Sequence, residues 1–159
     1  MRDRLFLLSG ILGIGAIIGP IIFGVIGPRE VGPMPPGFVS PVLAFEFAET
    51  GAEVWALFRP AGTAAAMDRV NRWDFLYMVV YNLFLLTFAL GLARKTGRRT
   101  FYLPAALSAV ILFGDFMENV QLLALSYETT LDGNVFEPYL SRLRVYTWLK
   151  WGGLALYGL

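Results

Sequence analysis

The chain has 159 residues, 57% of them hydrophobic and 16% charged, with a formal net charge of +1. Soluble domains run at about 45–50% apolar and about 25% charged, so the apolar excess points to a lipid-facing surface, and the near-neutral balance argues against a nucleic-acid partner. There is no Cys and no His, which excludes disulfides and thiolate chemistry and removes the commonest metal ligand and general base; no metal site and no cofactor is expected.

The length fits one domain. Residues 5–26 form an apolar run long enough to cross the hydrocarbon core, which takes about 20 helical residues. The run is longer than a signal-peptide core and lacks a small-x-small cleavage site, so it reads as a retained span. It is rich in glycine, and Gly15 and Gly19 form a GxxxG that lets a neighbouring helix, another subunit or a second copy approach closely. Pro20 predicts a kink. Four prolines, Pro28, Pro33, Pro35 and Pro36, make the next stretch a loop. Ser40-Pro41 then reads as an N-cap with proline at the first helical position. One amphipathic helix is expected over residues 41–58, with Glu46, Glu49, Thr50 and Glu53 on a single face. Residues 59–62 break it, and residues 63–71 lead as helix into the second span at 73–93.

Arg94, Lys95, Arg98 and Arg99 make a short basic turn before the third span at 101–125, where Pro104 is tolerated in the first turn. A polar connection follows over 126–143, turning at Asp132, Gly133 and Asn134. Residues 144–159 form a fourth span, short for a crossing. The expected fold is therefore all-α: a polytopic membrane protein, a bundle of four transmembrane helices with one amphipathic helix in the first long loop. The basic turn and Arg2 and Arg4 lie on one side, which the positive-inside rule assigns to the cytoplasm together with both termini.

Ionisable residues at membrane depth are costly, at least ~2.5–3.5 kcal/mol each on insertion scales. The third span nevertheless holds Asp115, Glu118 and Asn119. With ~1.5 Å of rise per residue, Asp115 falls about 3 Å and Glu118 about 7.5 Å outward of the middle of that span. Asp74 enters at the outer mouth of the second span, and Lys150 lies near the level of Glu118 in the fourth. Asp115, Glu118 and Asn119 share one stripe with Ser108; Asp74, Tyr77 and Tyr81 share another. The two stripes should face each other, because lipid offers them no partner. The expected polar site thus comprises Asp74, Tyr77, Tyr81, Asp115, Glu118, Asn119 and Lys150, lidded by Glu46, in the outer half of the membrane.

Three readings of that site stay open. It is a structural network in which Glu118 pairs with Lys150 and Asp115 with a Tyr or Ser, as in an accessory subunit of a larger membrane complex. It is a pocket for a lipid-like or cationic ligand, with Trp55, Trp73 and Trp148 nearby. Or it is a relay for protons or cations, although the inner half of every span lacks ionisable groups. The tryptophans near span ends, Trp73, Trp148 and Trp151, are read first as interfacial anchors.

Three short motifs add a resemblance. Glu46-Phe47-Ala48-Glu49-Thr50, then Asp74-Phe75-Leu76-Tyr77 with Tyr81, then Asp115-Phe116-Met117-Glu118-Asn119 resemble a group of small bacterial four-helix inner-membrane proteins. That group carries L-E-x-A-x-T in the first loop, D-F-x-F/Y…Y entering the second span and D-x-x-E-N in the third. The likeness covers residues 42–125. The chain departs from it in its proline-rich loop and in Phe45, where the group has Leu. The resemblance implies the bacterial inner membrane; membrane lipids are the partners expected of a multi-pass chain with so much apolar surface. It singles out Glu46, Asp74, Tyr81, Asp115, Glu118 and Asn119, and it implies no reaction.

Overall fold

A computed structural model describes residues 4–128 and 136–158. Those residues form helices and loops, with no strand among them: α1 (Arg4–Ile26), α2 (Pro41–Glu46), α3 (Gly51–Leu57), α4 (Thr63–Thr96), α5 (Tyr102–Glu128) and α6 (Phe136–Gly158), with a 3-10 turn at Arg99–Phe101 between α4 and α5. Among the described residues, three helices are long and apolar enough to cross a membrane: Arg4–Ile26, Thr63–Thr96 and the α5 stretch. α6 matches α1 in length, 23 residues, but carries Glu137, Arg142, Arg144 and Lys150, too much charge to qualify on composition. It begins at Phe136, so much of the expected connection 126–143 is helical; the expected turn at Asp132, Gly133 and Asn134 lies outside the described residues.

The long helices pack in chain order, α1 on α4, α4 on α5, α5 on α6, and no comparable packing joins α1 to α6. Small residues set the approach. At Gly19 of α1 an added Cβ would lie 2.2 Å from the Tyr77 ring of α4, and at Gly15 it would lie 2.9 Å from Val80. The GxxxG face therefore meets α4 of the same chain. On its other sides α1 presents Leu7, Ile11, Ile14, Ile17, Ile21 and Val25, all exposed, as a lipid-facing helix does. α1 continues as helix through Pro20.

The amphipathic helix expected over 41–58 is instead two short helices. α2 starts as the sequence predicts, with Ser40 as N-cap and Pro41 in the first turn, but ends at Glu46 with Phe47 as C-cap. Thr50 then caps α3: its hydroxyl accepts from the Glu53 N–H at 3.3 Å, and Glu53 Oε2 accepts from the N–H groups of Thr50 and Glu49 at 3.2 and 2.7 Å. This reciprocal capping box satisfies donors that a continuous helix would have used differently. It also dissolves the expected acidic face. Glu53 is a cap, Glu49 is exposed and Glu46 is buried.

Two apolar cores result. One joins α2 and α3 to one end of the bundle through Phe45, Val54, Leu57, Met67, Leu122, Leu125, Leu140 and Leu143. The other lies further along α4, α5 and α6 around Met78, Tyr81 and Ile111, with Leu154 and Tyr157 against it. On α4, α5 and α6 alike, polar residues turned towards the bundle lie between these cores. Asp74 lies between Met67 and Met78, Asp115 and Glu118 between Ile111 and Leu122, and Lys150 between Leu143 and Leu154.

Candidate functional site

The polar layer is assembled from α2, α4, α5 and α6. Asp115 is the midpoint of α5 and is buried. Just before it stands Gly114, where an added Cβ would come within 2.9 Å of the Lys150 backbone nitrogen. This close approach of α5 and α6 sets Lys150 beside both acids of α5. The Lys150 ammonium lies 3.2 Å from Asp115 Oδ1 and 2.5 Å from Glu118 Oε2. It also lies 3.1 Å from Glu46 Oε1, carried over by α2. Asp115, Glu118, Glu46 and Lys150 are all buried. Three carboxylates converge, but the ammonium occupies their centre, and the described residues contain no group arranged to hold a metal ion.

The remaining oxygens are met mostly by donors. Tyr81 donates to Asp115 Oδ2 at 2.5 Å, Trp151 Nε1 to Glu46 Oε2 at 3.1 Å and Asn119 Nδ2 to Asp74 Oδ2 at 2.6 Å. The Thr147 hydroxyl donates to the Glu46 backbone carbonyl at 3.1 Å, fastening the C-terminal end of α2 to α6. Glu118 Oε1 and Asp115 Oδ1 are buried without any hydrogen bond, although the Lys150 ammonium is close to the latter. Asp74 is half-buried and has no cation within 4.0 Å among the described residues.

A cavity of about 640 Å³ lies against this layer. Its floor is α4 and α5 (Asp74, Tyr77, Tyr81, Phe84, Leu85, Asp115). One wall is α1 (Ala16, Pro20, Phe23, Gly24) and the other α6 (Lys150, Trp151, Leu154), with α2 and its N-cap across one end. It occupies the gap left because α1 and α6 do not pack together. The walls are mostly apolar, and the polar groups sit towards the α2 end. A few convergent polar groups in an apolar concavity is the usual makeup of a small-molecule site.

All eight residues singled out from sequence can now be placed. Asp115, Glu118, Lys150, Glu46 and Tyr81 form one connected network; Asp74 and Asn119 form a pair beside it. Tyr77 lines the cavity, but its hydroxyl donates to the Ala16 carbonyl of α1 at 3.0 Å rather than to a carboxylate. Ser108 turns back on its own helix, donating to the Ala105 carbonyl. Of the tryptophans first placed near the pocket, Trp55 packs on Phe136, Trp148 on Phe47, and Trp73 lines a different cavity. Trp151, read only as an interfacial anchor, is the one that bonds Glu46, and Thr147 was not singled out. The signal existed: Thr147, Lys150 and Trp151 lie at i, i+3 and i+4, one stripe of a helix. Comparison of the chain with protein-family models, with curated proteins and with solved structures finds no match.

Proposed function

We propose that this is a small four-span protein of the bacterial inner membrane that holds a lipid-like molecule in the cavity between α1 and α6. In this reading α6 is the fourth crossing, the termini are cytoplasmic, and the polar layer lies in the outer half of the bilayer. α6 is tolerable there because Lys150, its charge beyond Arg144, is matched by carboxylates from two other helices rather than by lipid. The resemblance of the Glu46, Asp74 and Asp115 motifs to small inner-membrane proteins supports the location. The observation that carries the reading is the junction of surfaces: a 640 Å³ apolar cavity meets a carboxylate, tyrosine and lysine layer at one end. A ligand that fits has an apolar chain and a polar head.

An accessory-subunit role, with the layer as scaffold, draws support from the shared Lys150 contacts. It is the weaker reading, because a scaffold has no need of the cavity or of the unbonded oxygens of Asp115 and Glu118. A relay for protons or cations is weaker still, since beyond Tyr81 the cavity meets only Phe84, Leu85 and Leu154.

Native mass spectrometry of gently extracted protein tests the ligand. The wild-type chain should retain a lipid-sized adduct, and Leu154→Trp, which fills the apolar end, should lose it while keeping its thermal stability. Equal adducts in both, or none in the wild type, would overturn the reading.

A further inference from the structure

The cavity is unevenly charged. Glu46, Asp74 and Asp115 line it, and the one cation on its surface, Lys150, is already shared among Glu46, Asp115 and Glu118. Lysine cannot neutralise this set. Four carboxyl groups face one ammonium in a region where an uncompensated charge is expensive. Either protons or a second cation must complete the balance.

The hydrogen-bonding pattern favours a cation. A protonated carboxyl needs an acceptor for its new O–H; the Trp151 indole and the Lys150 ammonium can only donate, and the Asn119 amide nitrogen and the Tyr81 hydroxyl already donate to these oxygens. Asp115 Oδ1, on a side chain only 1% exposed that lines the cavity, has the shared Lys150 ammonium as its ion-pair partner and no hydrogen bond of its own. A proton placed on it would point at the Lys150 ammonium 3.2 Å away. Asp74, at the same cavity, has the Asn119 amide and no cation. The unfilled requirement is therefore a positive donor entering from the cavity.

The aromatic surroundings fit the same group. Tyr77 and Tyr81 stand with ring centroids 5.2 Å apart, and Phe23 meets Tyr77 edge-on at 5.2 Å. All three rings line the cavity, and aromatic faces attract cations, most strongly where water is excluded. The chain already displays the arrangement once. Lys150 is an ammonium on an apolar four-carbon stem; it is held by carboxylates and stands 5.4 Å from the centre of the Trp151 ring. An anionic head has no comparable place, because the only cation at the cavity among the described residues, Lys150, is surrounded by acids.

We propose that the ligand of this cavity is a cationic amphiphile, an ammonium head on a hydrocarbon chain, with the head between Asp74 and Asp115 against Tyr77 and Tyr81 and the chain running past Phe84 and Leu154. This inference rests on the lipid-binding reading and names the chemistry of the head.

The test compares three single-chain probes of equal length, hexadecylamine, hexadecanol and hexadecanoic acid, added to the protein in zwitterionic nanodiscs, with empty nanodiscs subtracting partition into lipid. Binding is read by native mass spectrometry and by displacement of one probe by another. The amine should bind at least roughly tenfold more tightly than the alcohol, the expected worth of one charge-assisted hydrogen bond, and the acid should bind no better than the alcohol. Asp74→Asn should bring the amine close to the alcohol, whereas Asp74→Glu should keep the preference. Equal binding of amine and alcohol to the wild-type protein overturns the ammonium assignment and leaves the lipid-binding reading standing. A preference for the acid, or an unchanged amine preference in a folded Asp74→Asn protein, overturns it too. No binding of any probe overturns both. Where Asp74→Asn fails to fold, the amine-against-alcohol competition on the wild-type protein decides the matter alone.

Discussion

Replacing Lys150 by Met should be among the most damaging single changes in the polar layer. The side chain is 6% exposed and serves Glu46, Asp115 and Glu118 together. Methionine keeps the length and the apolar stem but leaves three buried carboxyl groups with no cation. Breaking a buried ion pair from one side costs about 3–5 kcal/mol, because the stranded charge remains desolvated. At about 2–4 °C per kcal/mol for a chain of this size, melting should fall by roughly 6–20 °C. Glu118→Gln is the informative contrast. It removes one acid from a set that has too many, keeps the shape, and leaves Lys150 with Glu46 and Asp115. Its Oε1 position has no hydrogen bond to lose, so the change should cost less than about 2 kcal/mol. Added to Lys150→Met, Glu118→Gln should recover part of the loss, a coupling of about 0.5–3 kcal/mol between neighbours that share one charge balance. Thermal unfolding of the four proteins in one detergent closes the cycle. A Glu118→Gln protein less stable than Lys150→Met, or effects that simply add, would show that the acids do not share one cation.

Further expectations concern packing, capping and the Tyr81 contact. Gly19→Ala should destabilise by about 1–3 kcal/mol, the usual cost of overpacking, because its methyl would meet the Tyr77 ring at 2.2 Å, whereas Gly10→Ala, with nothing within 4 Å, should be neutral or mildly stabilising; melting curves rank the two, and the reverse order would contradict the α1–α4 contact. Thr50→Ala should cost about 1 kcal/mol through loss of the α3 cap, read as faster proteolysis near residues 47–53 than in the wild type. Tyr81→Phe should cost about 1.5–3 kcal/mol as a hydrogen bond to a charged group is lost, and a melting temperature equal to wild type would show that Asp115 does not depend on it.

What could be read in the sequence followed from lipid as solvent. Helices with few charges must face it, and Asp115, Glu118 and Lys150 must not. Spacing alone therefore located the stripe of α5, and hydrogen bonds and ion pairs join that stripe to Asp74, Tyr81 and Lys150. What escaped was decided by local chemistry and by helix-to-helix register. The acidic periodicity through Glu46, Glu49 and Glu53 resembled a continuous helix face, but Thr50 and Glu53 form a capping box that restarts the chain, and only then can Glu46 turn inward. Trp151 looked like an interfacial anchor because its position near a span end was weighed before its place on the Thr147–Lys150 stripe. Which helices wall the pocket was not legible for a different reason: the cavity lies where α1 packs on α4 without comparable packing on α6, and no residue pattern states which helices stay apart.

α6 lies against α5 in the one register that sets Lys150 between Asp115 and Glu118. A chain without cysteine allows this to be measured directly by a single engineered disulfide. A Cβ at Gly114 would stand 3.3 Å from the Leu149 Cβ and 2.9 Å from the Lys150 backbone nitrogen, so a Cys there moves α6 slightly outward, towards the ~3.5–4.5 Å separation of disulfide-bonded pairs. Gly114→Cys with Leu149→Cys should cross-link in native membranes under mild oxidation, and Val110→Cys with Leu149→Cys, one helical turn away, should not. Efficient cross-linking of the second pair and none of the first would place Lys150 at another level, and the carboxylates would then have no cation to share.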